Sequence, residues 1–592
     1  MGYRKNFIKG FVSVGLIWSV FTGIILTTAQ DLTPNEDLSL GASVFVFRSS
    51  GRTAQKRFVS NNKTKRTKTQ RVAVVRKIRK QYDTLAVVTN RRARVKNVTT
   101  ANTQTDIARK TPKEASLALT GSGQYYYERS EFDKAIAAYR EAINLDAKNT
   151  DAKLGLSDVL AAQGSDFLEN DRNNEARLQF DEAIKLNPKN SIAYSGLGEI
   201  YDATDENDKA VMNYEKALAL DAGLTELYAP LGILYYQKNE IAKADEYLSK
   251  ALATNQNDVS TQYFLGLIRN KQNRYEDARA ALTQAKTLDA TMPEIRLSLG
   301  EALAKLDREA EAVAEYKEAV RLKPNYVDAW FNLGSIYYEQ EKYEDSIAAY
   351  KETNRLKNNI GEAHVNLADA FRQLQRYDEA NGEYAIAATF IKDDAELYSN
   401  WGFCLGKVNK WNNAIQRLNE TIKLSADYID YTNLGWAYYN AAQVDLRAKR
   451  DADAQPKLQQ AKTALQKAVS LKNDFAPAQL NLGITLNDLG EYQAAVTALK
   501  RATELRKNSL FAINELGIAY RKLNDYDNAI KQFEKAVDLN DKYAVGYYNL
   551  GEAQYRRGNV KEAKKTHEKL KKLNKNLANA LEILITGAKI GY

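Results

Sequence analysis

A small residue returns every 34 positions along most of this chain. Gly198, Gly232, Gly266, Gly300, Gly334, Ala368 and Gly402 keep that spacing without a break, and Gly435, Gly483, Gly517 and Gly551 continue the series. Twelve residues after most of them stands a second small residue: Ala210, Ala244, Ala278, Ala312, Ser346, Ala380, Ala414, Ala495, Ala529 or Ala563. Four further on comes a bulky one, such as Tyr214, Tyr316, Tyr350, Tyr384 or Phe533, and then another small one, such as Ala217, Ala285, Ala319, Ala387, Ala502 or Ala536. Two antiparallel helices approach closely only where small side chains face each other, with bulky residues filling the gaps around the contact. A long fixed period therefore decides the architecture before local propensity is weighed: stacked helical hairpins, each burying its apolar face against its neighbours. Eight prolines in 592 residues suit a chain that is mostly helix.

The pattern resembles the tetratricopeptide repeat, whose signature is W-x2-L-G-x2-Y, A-x3-F, A and P. The seventh unit reads Trp330-Phe331-Asn332-Leu333-Gly334-Ser335-Ile336-Tyr337, followed by Ser346, Tyr350 and Thr353. The closing proline is present as Pro188 and Pro324 and missing from most units. The resemblance implies an all-α fold, a right-handed superhelical solenoid of about 13 helix-turn-helix repeats over residues 114–575. In this family the first helices of the repeats line the concave surface.

Two units depart from the spacing. Ser157 stands at the glycine position of repeat 2 and lies 19 residues before Ala176 rather than 12; Gly435 lies 26 before Ala461. At about 3.6 residues per turn, the excess of seven is one extra turn on each of two helices, and the excess of 14 is two on each. Lengthening by whole turns keeps the apolar faces in phase, so these insertions should extend helices, with the tip of repeat 10 near Arg450–Pro456. Pro230, six residues into repeat 4, should distort or delay that first helix. An array also needs its end units covered. Within 576–592, Leu577, Ala580, Leu581, Leu584, Ile585 and Ala588 recur at helical spacing, which reads as a capping helix. Ile583 and Ile590 fall off that face, leaving either an imperfect cap or a self-association surface.

The N-terminal 113 residues follow other rules. Arg4, Lys5 and Lys9 precede an uncharged, largely apolar stretch from Gly10 to Gln30 that ends in Thr27-Thr28-Ala29-Gln30. Residues 1–30 thus have the order of a signal peptide, or of a retained membrane anchor, and the remainder is expected to be extracytoplasmic, periplasmic or anchored facing the periplasm. Residues 31–113 form a basic, largely irregular segment. Between Arg48 and Lys110 stand nineteen Lys and Arg against Asp83 and Asp106 only, whereas residues 111–592 carry 63 basic and 70 acidic side chains. The overall charge of +10 therefore belongs to one short segment. Ser43-Val44-Phe45-Val46-Phe47 and Leu85-Ala86-Val87-Val88 are β-prone patches within or beside it. Composition allows a solvated tether or a contact with an anionic membrane, polymer or acidic protein, made by Arg76, Lys77, Arg79, Lys80, Arg91, Arg92, Arg94 and Lys96. Tyr82 is the only aromatic interleaved with these, so base stacking is poorly supported and nucleic acid is the weaker partner.

With the repeat glycine numbered 8, positions 4, 7, 8 and 11 form the core face of each first helix and positions 2, 6, 9 and 13 the opposite face. Position 6 is Asn332, Asn366, Asn400, Asn433, Asn481 and Asn549 in repeats 7 to 11 and 13, with Glu515 interrupting in repeat 12. Repeats 3 to 6 have Gly196, Pro230, Phe264 and Ser298 there. An Asn amide both donates and accepts, so a row of them can pair with the N–H and C=O of an extended peptide without dictating its side chains. The row is similar to the asparagine ladder in the tetratricopeptide domain of O-linked N-acetylglucosamine transferases, a resemblance that implies peptide binding in the groove; the plain alternative is a repeat consensus that meets only water. At position 9, Phe403 and Trp436 beside Asn400 and Asn433 make the most ligand-like patch, unless they pack between adjacent first helices.

Catalytic chemistry finds little material. A single cysteine, Cys404, excludes an intrachain disulfide or a Cys-pair zinc site. His364 at core position 4 and His567 at the bulky position of a second helix read as packed residues, and Cys404 as a small buried hydrophobe. Gly121-Ser122-Gly123 is too short for a phosphate-binding loop. The expectation is a non-enzymatic scaffold or adaptor of the cell envelope, without cofactor or metal, that binds an extended peptide or partner helix. The runner-up is a basic-arm protein contacting nucleic acid or an anionic surface while the repeats recruit partners. A third arrangement has segment 48–110 folding back to occlude the chain's own groove.

Overall fold

The structure, a computed structural model, describes residues 36–37, 43–47 and 111–587. Residues 1–30 and 48–110, with both readings placed on them, lie outside this set. From Pro112 to Leu573 the described chain is thirteen helical hairpins in sequence order, and one further helix, Lys575–Thr586, follows. A typical hairpin is repeat 8, with Gly361–Gln373 and Tyr377–Phe390. Two compact units divide the chain. One holds Arg57–Ala329; the other holds Trp330–Tyr592 together with the N-terminal residues to Lys56.

Outside repeats 2 and 10, each hairpin closes where the 34-residue pattern placed its small residues. A Cβ on Gly300 would lie 2.5 Å from the Tyr316 ring, and one on Gly517 2.6 Å from Phe533. The bulky partner stands sixteen residues downstream in both, so the helix pair is specified inside one repeat. The turn is equally regular. Seven residues after the glycine position the backbone is left-handed, as at Asp205, Asn239, Asn273 and Gln375, with φ of 58–62°. In repeat 3 this closes a paired C-cap, the Glu206 N–H donating to the Tyr201 carbonyl at 2.9 Å and the Asp205 N–H to the Asp202 carbonyl at 3.4 Å.

That regularity corrects the reading of repeat 2. Its left-handed residue is Asp171, which makes Gly164 the repeat glycine and not Ser157. A Cβ on Gly164 would meet Phe180 at 2.7 Å, and Ala176 follows Gly164 at the ordinary interval of twelve. The seven extra residues all enter the first helix, Thr150–Glu169, of 20 residues, while the second, Asn173–Leu186, keeps 14. The long helix serves two neighbours. Gly155 in its N-terminal half admits Tyr139 of repeat 1, and Gly164 admits its own Phe180. In repeat 10 the insertion is shared, giving helices Tyr428–Arg447 of 20 residues and Asp451–Leu471 of 21, with the turn at Lys449. Gly435 there packs on Leu465, so the lengthened pair stays in register.

Pro230 acts as its chemistry requires. Repeat 4 opens with a 3-10 turn, Thr225–Leu227, and its α-helix starts late, at Tyr228. Pro230 is then the third helical residue, where an N–H would have had no intrahelical acceptor. At the C-terminus, Leu581 fills the space beside Gly551, and Leu577, Ala578 and Leu581 are buried, with Leu584 and Ile585 packed alongside. Ala580 is exposed, so the buried stripe is rotated from the expected one to seat Leu581 on Gly551. Ala588 and Ile590 lie outside the described residues.

Outside the helices the described residues hold two short strands, β1 (Glu36–Asp37) and β2 (Phe45–Val46), paired antiparallel with Glu36 opposite Val46 and Asp37 opposite Phe45. Their position in the C-terminal unit brings them to the candidate site.

Candidate peptide-binding groove

Ser43–Phe47 lies extended against the first helices of repeats 8 to 11, and two of the asparagines hold its backbone. Asn481 accepts from the Val44 N–H at 2.7 Å and donates to the Val44 carbonyl at 2.8 Å. Asn433 treats Val46 the same way, with both bonds at 2.8 Å. One amide thus satisfies both backbone groups of one residue, and the next amide along the array does so two residues away. Alternate residues of a strand present their peptide groups to the same side, so a row of amides on successive helices matches every second residue. Asn440, at position 13 of repeat 10, adds a bond to the Ser43 hydroxyl at 3.0 Å.

The side chains are held as firmly. Phe45 is 0% exposed, its ring 4.8 Å from that of Phe403 and 4.9 Å from that of Trp436. Phe403 and Trp436 also stack on each other at 6.1 Å across adjacent repeats, and Trp436 meets Trp411 at 5.3 Å. The ligand-like patch and the packing between first helices are therefore one arrangement. Phe47 rests on Phe403 at 4.8 Å, with the Arg372 guanidinium 5.0 Å from its ring centre, within cation–π range. Val44 and Val46 join the apolar cluster that contains Tyr439, Leu480 and Ile484.

The other position-6 asparagines have different company. All are buried, so none is a water-facing consensus residue. Asn366 donates to the Tyr350 hydroxyl at 3.0 Å, Asn400 to Asp369 at 3.3 Å, and Asn549 to Asn514 at 2.9 Å. Asn332 finds no hydrogen-bond partner for either amide atom among the described residues. Glu515, which interrupts the row, takes bonds from Asn487 and Asn514, and desolvation with the nearby Asp488 charge pushes its carboxyl up to about 7. Asn440 and Arg372 were not singled out from the sequence. Position 13 was the available signal for Asn440; Arg372 gains a role only from Phe47 packed beside it.

His364 is buried, its Nδ1 2.6 Å from a Glu383 carboxylate oxygen and its Nε2 3.1 Å from the Asn358 carbonyl. Burial pulls its pKa down, but these two acceptors outweigh it and the net shift is upward. His567 is buried as well, and burial pushes the Cys404 thiol up to about 12. Arg76, Lys77, Arg79, Lys80, Arg91, Arg92, Arg94 and Lys96 lie outside the described residues.

Family models described as TPR repeat match residues 123–164, 310–340 and 517–558, and models described as tetratricopeptide repeat match 162–224, 230–293, 331–395 and 476–509. Together they cover more than half of the chain. The chain belongs to the tetratricopeptide-repeat family. Among solved structures it is similar to the MamA protein, at 26% identity over 28% of this chain and 91% of that one, with a TM-score of 0.27. It is similar also to YrrB, a TPR protein with an unusual peptide-binding site, at 25% identity over 31% and 95%, TM-score 0.29. The APC/C Cut9–Hcn1 hetero-tetramer matches at 16% identity over 76% and 99%, TM-score 0.32. No curated protein matches the chain.

Proposed function

We propose that this protein is a non-enzymatic scaffold or adaptor that holds an extended segment of a partner protein along the first helices of its C-terminal repeats. The observation that carries the reading is the pair of two-way amide contacts from Asn433 and Asn481 to alternate backbone residues. Main-chain pairing supplies affinity that tolerates many sequences, and side-chain pockets supply choice, as in other modes of extended-peptide recognition. The order of charges and apolar residues in 1–30 supports export, and hence a role in the cell envelope, periplasmic or anchored. Among the described residues no helix is long and apolar enough to cross a membrane. The test is capture of partners from native envelope extract by the full chain and by an Asn433→Ala, Asn481→Ala form of equal helicity. A partner held by the first and lost by the second supports the reading; the same partner on both places the contact elsewhere.

The charge of segment 48–110 favours a second contact, with an anionic membrane or polymer. Salt-sensitive binding of the full chain to acidic vesicles, lost on neutralising Arg76, Lys77, Arg79 and Lys80, would support it. A log K for DNA that falls steeply with log salt would instead revive nucleic acid as the partner.

A further inference from the structure

We propose that the face of repeats 8 to 11 selects, from a partner protein, an extended segment of alternating β-branched and aromatic residues, and that Ser43–Phe47 is a tethered copy of that segment which the partner displaces. This rests on reading the face as a peptide site, and it adds the ligand's chemistry, its direction and what closes the groove.

Direction follows from the register. Val44 is held from repeat 11 and Val46 from repeat 10, while Phe47 reaches Phe403 of repeat 9 and Arg372 of repeat 8. The segment therefore runs N to C against the order of the repeats. Backbone requirements alternate too. The residues at Val44 and Val46 must present an N–H and a C=O to an amide, so proline is excluded there. Phe45 faces Asp37 of β1 and makes no such demand on the groove.

Selection comes from side chains. The space between Phe403 and Trp436 is filled by an aromatic ring with no exposed surface, and a small residue would leave a void. A second ring fits beneath Arg372, where its face meets the cation. Among the described residues the segment on the groove is five residues long and β1, which pairs with it, is two, and an isolated two-stranded hairpin is marginal in water. Covalent attachment adds to this by making the contact intramolecular, an advantage that falls as the connecting chain lengthens.

The probe is a labelled peptide with the sequence of residues 42–49, titrated into the full chain and into a full chain carrying Phe45→Asp and Phe47→Asp. A second opened form, Val44→Pro with Val46→Pro, serves if the first misfolds. The opened chain should bind the peptide at least about tenfold more tightly than the wild type, where the tethered copy competes. N-methylation of the peptide at Val44 or Val46 should abolish binding, whereas N-methylation at Phe45 leaves most of it, and Phe45→Ala in the peptide should weaken it by about tenfold or more. No binding to either opened form, or equal sensitivity at all three N–H groups, overturns the proposal. A partner that depends on Asn433 and Asn481 but is not competed by this peptide overturns it too, and leaves the scaffold reading standing.

Discussion

Changing Asn433 or Asn481 to alanine should loosen the docked segment while sparing the helices beneath it. Each amide makes two hydrogen bonds of 2.7–2.8 Å to one buried residue. A net hydrogen bond contributes about 0.5–1.5 kcal/mol, so each substitution should cost about 1–3 kcal/mol of docking free energy. With about 1.4 kcal/mol per factor of ten, amide exchange at Val44 and Val46 should accelerate about 5- to 150-fold per substitution. Hydrogen exchange read by mass spectrometry over residues 43–47 measures this directly. Asn549→Ala is the control. It has the same residue type, repeat position and burial, but its amide bonds Asn514 and not the segment. If Asn549→Ala accelerates exchange at 43–47 as much as Asn433→Ala does, or if neither amide change alters it, the account of the groove is wrong.

Other consequences are separate. His364 has a raised pKa in the fold, so its contribution is complete below about 6.5 and fades as pH climbs through the folded value; the stability advantage of wild type over His364→Gln should shrink between pH 6 and pH 8.5, and a constant gap in melting temperature would contradict it. Cys404, fully buried with its thiol pushed up to about 12, should react with a thiol reagent no faster than the C-terminal unit unfolds. Leu581→Ala should cost about 2–4 kcal/mol and fray repeat 13 first, seen as early exchange in Val560–Leu573. Gln375 is an exposed residue with φ of 58°, so Gln375→Gly should be neutral or stabilising by up to about 1 kcal/mol in chemical denaturation.

The array was legible because its determinants are local. Gly300 and Tyr316, or Gly517 and Phe533, meet within one repeat, so a period in the sequence is a period of contacts. Repeat 2 misled because Ser157 stands 34 residues after Gly123, whereas the seven residues added to the first helix move the closing contact to Gly164, which meets Phe180 and precedes the left-handed Asp171 by seven. The asparagine row was visible as a row, but its members are identical by position and differ only by what three-dimensional packing sets beside them: Tyr350, Asp369, Asn514 or a strand. The strand itself was recognisable as β-prone, yet its partners stand 387 and 437 residues away, and no local pattern encodes such a pairing. The described segment on the groove is the apolar Ser43–Phe47, just upstream of the basic run, while segment 48–110, on which the charge argument rested, lies outside the described residues.

Affinity and choice are carried by different residues of this face, and that separation decides what evolution or engineering could change. The amides of Asn433 and Asn481 hydrogen-bond to backbone atoms of the segment, so they suit any extended chain that keeps two N–H groups in register. The rings of Phe403 and Trp436 touch a side chain, and they are the aromatic residues at position 9 of their adjacent repeats, where other repeats carry Glu199, Ser335 or Asp369. Substitutions in the amide pair should therefore weaken every ligand alike. Substitutions in the aromatic pair should reorder ligands, favouring smaller residues where Phe45 now sits. The tethered segment would be penalised along with its mimics, so a groove retuned at Phe403 and Trp436 would also be a groove released from its own N-terminus.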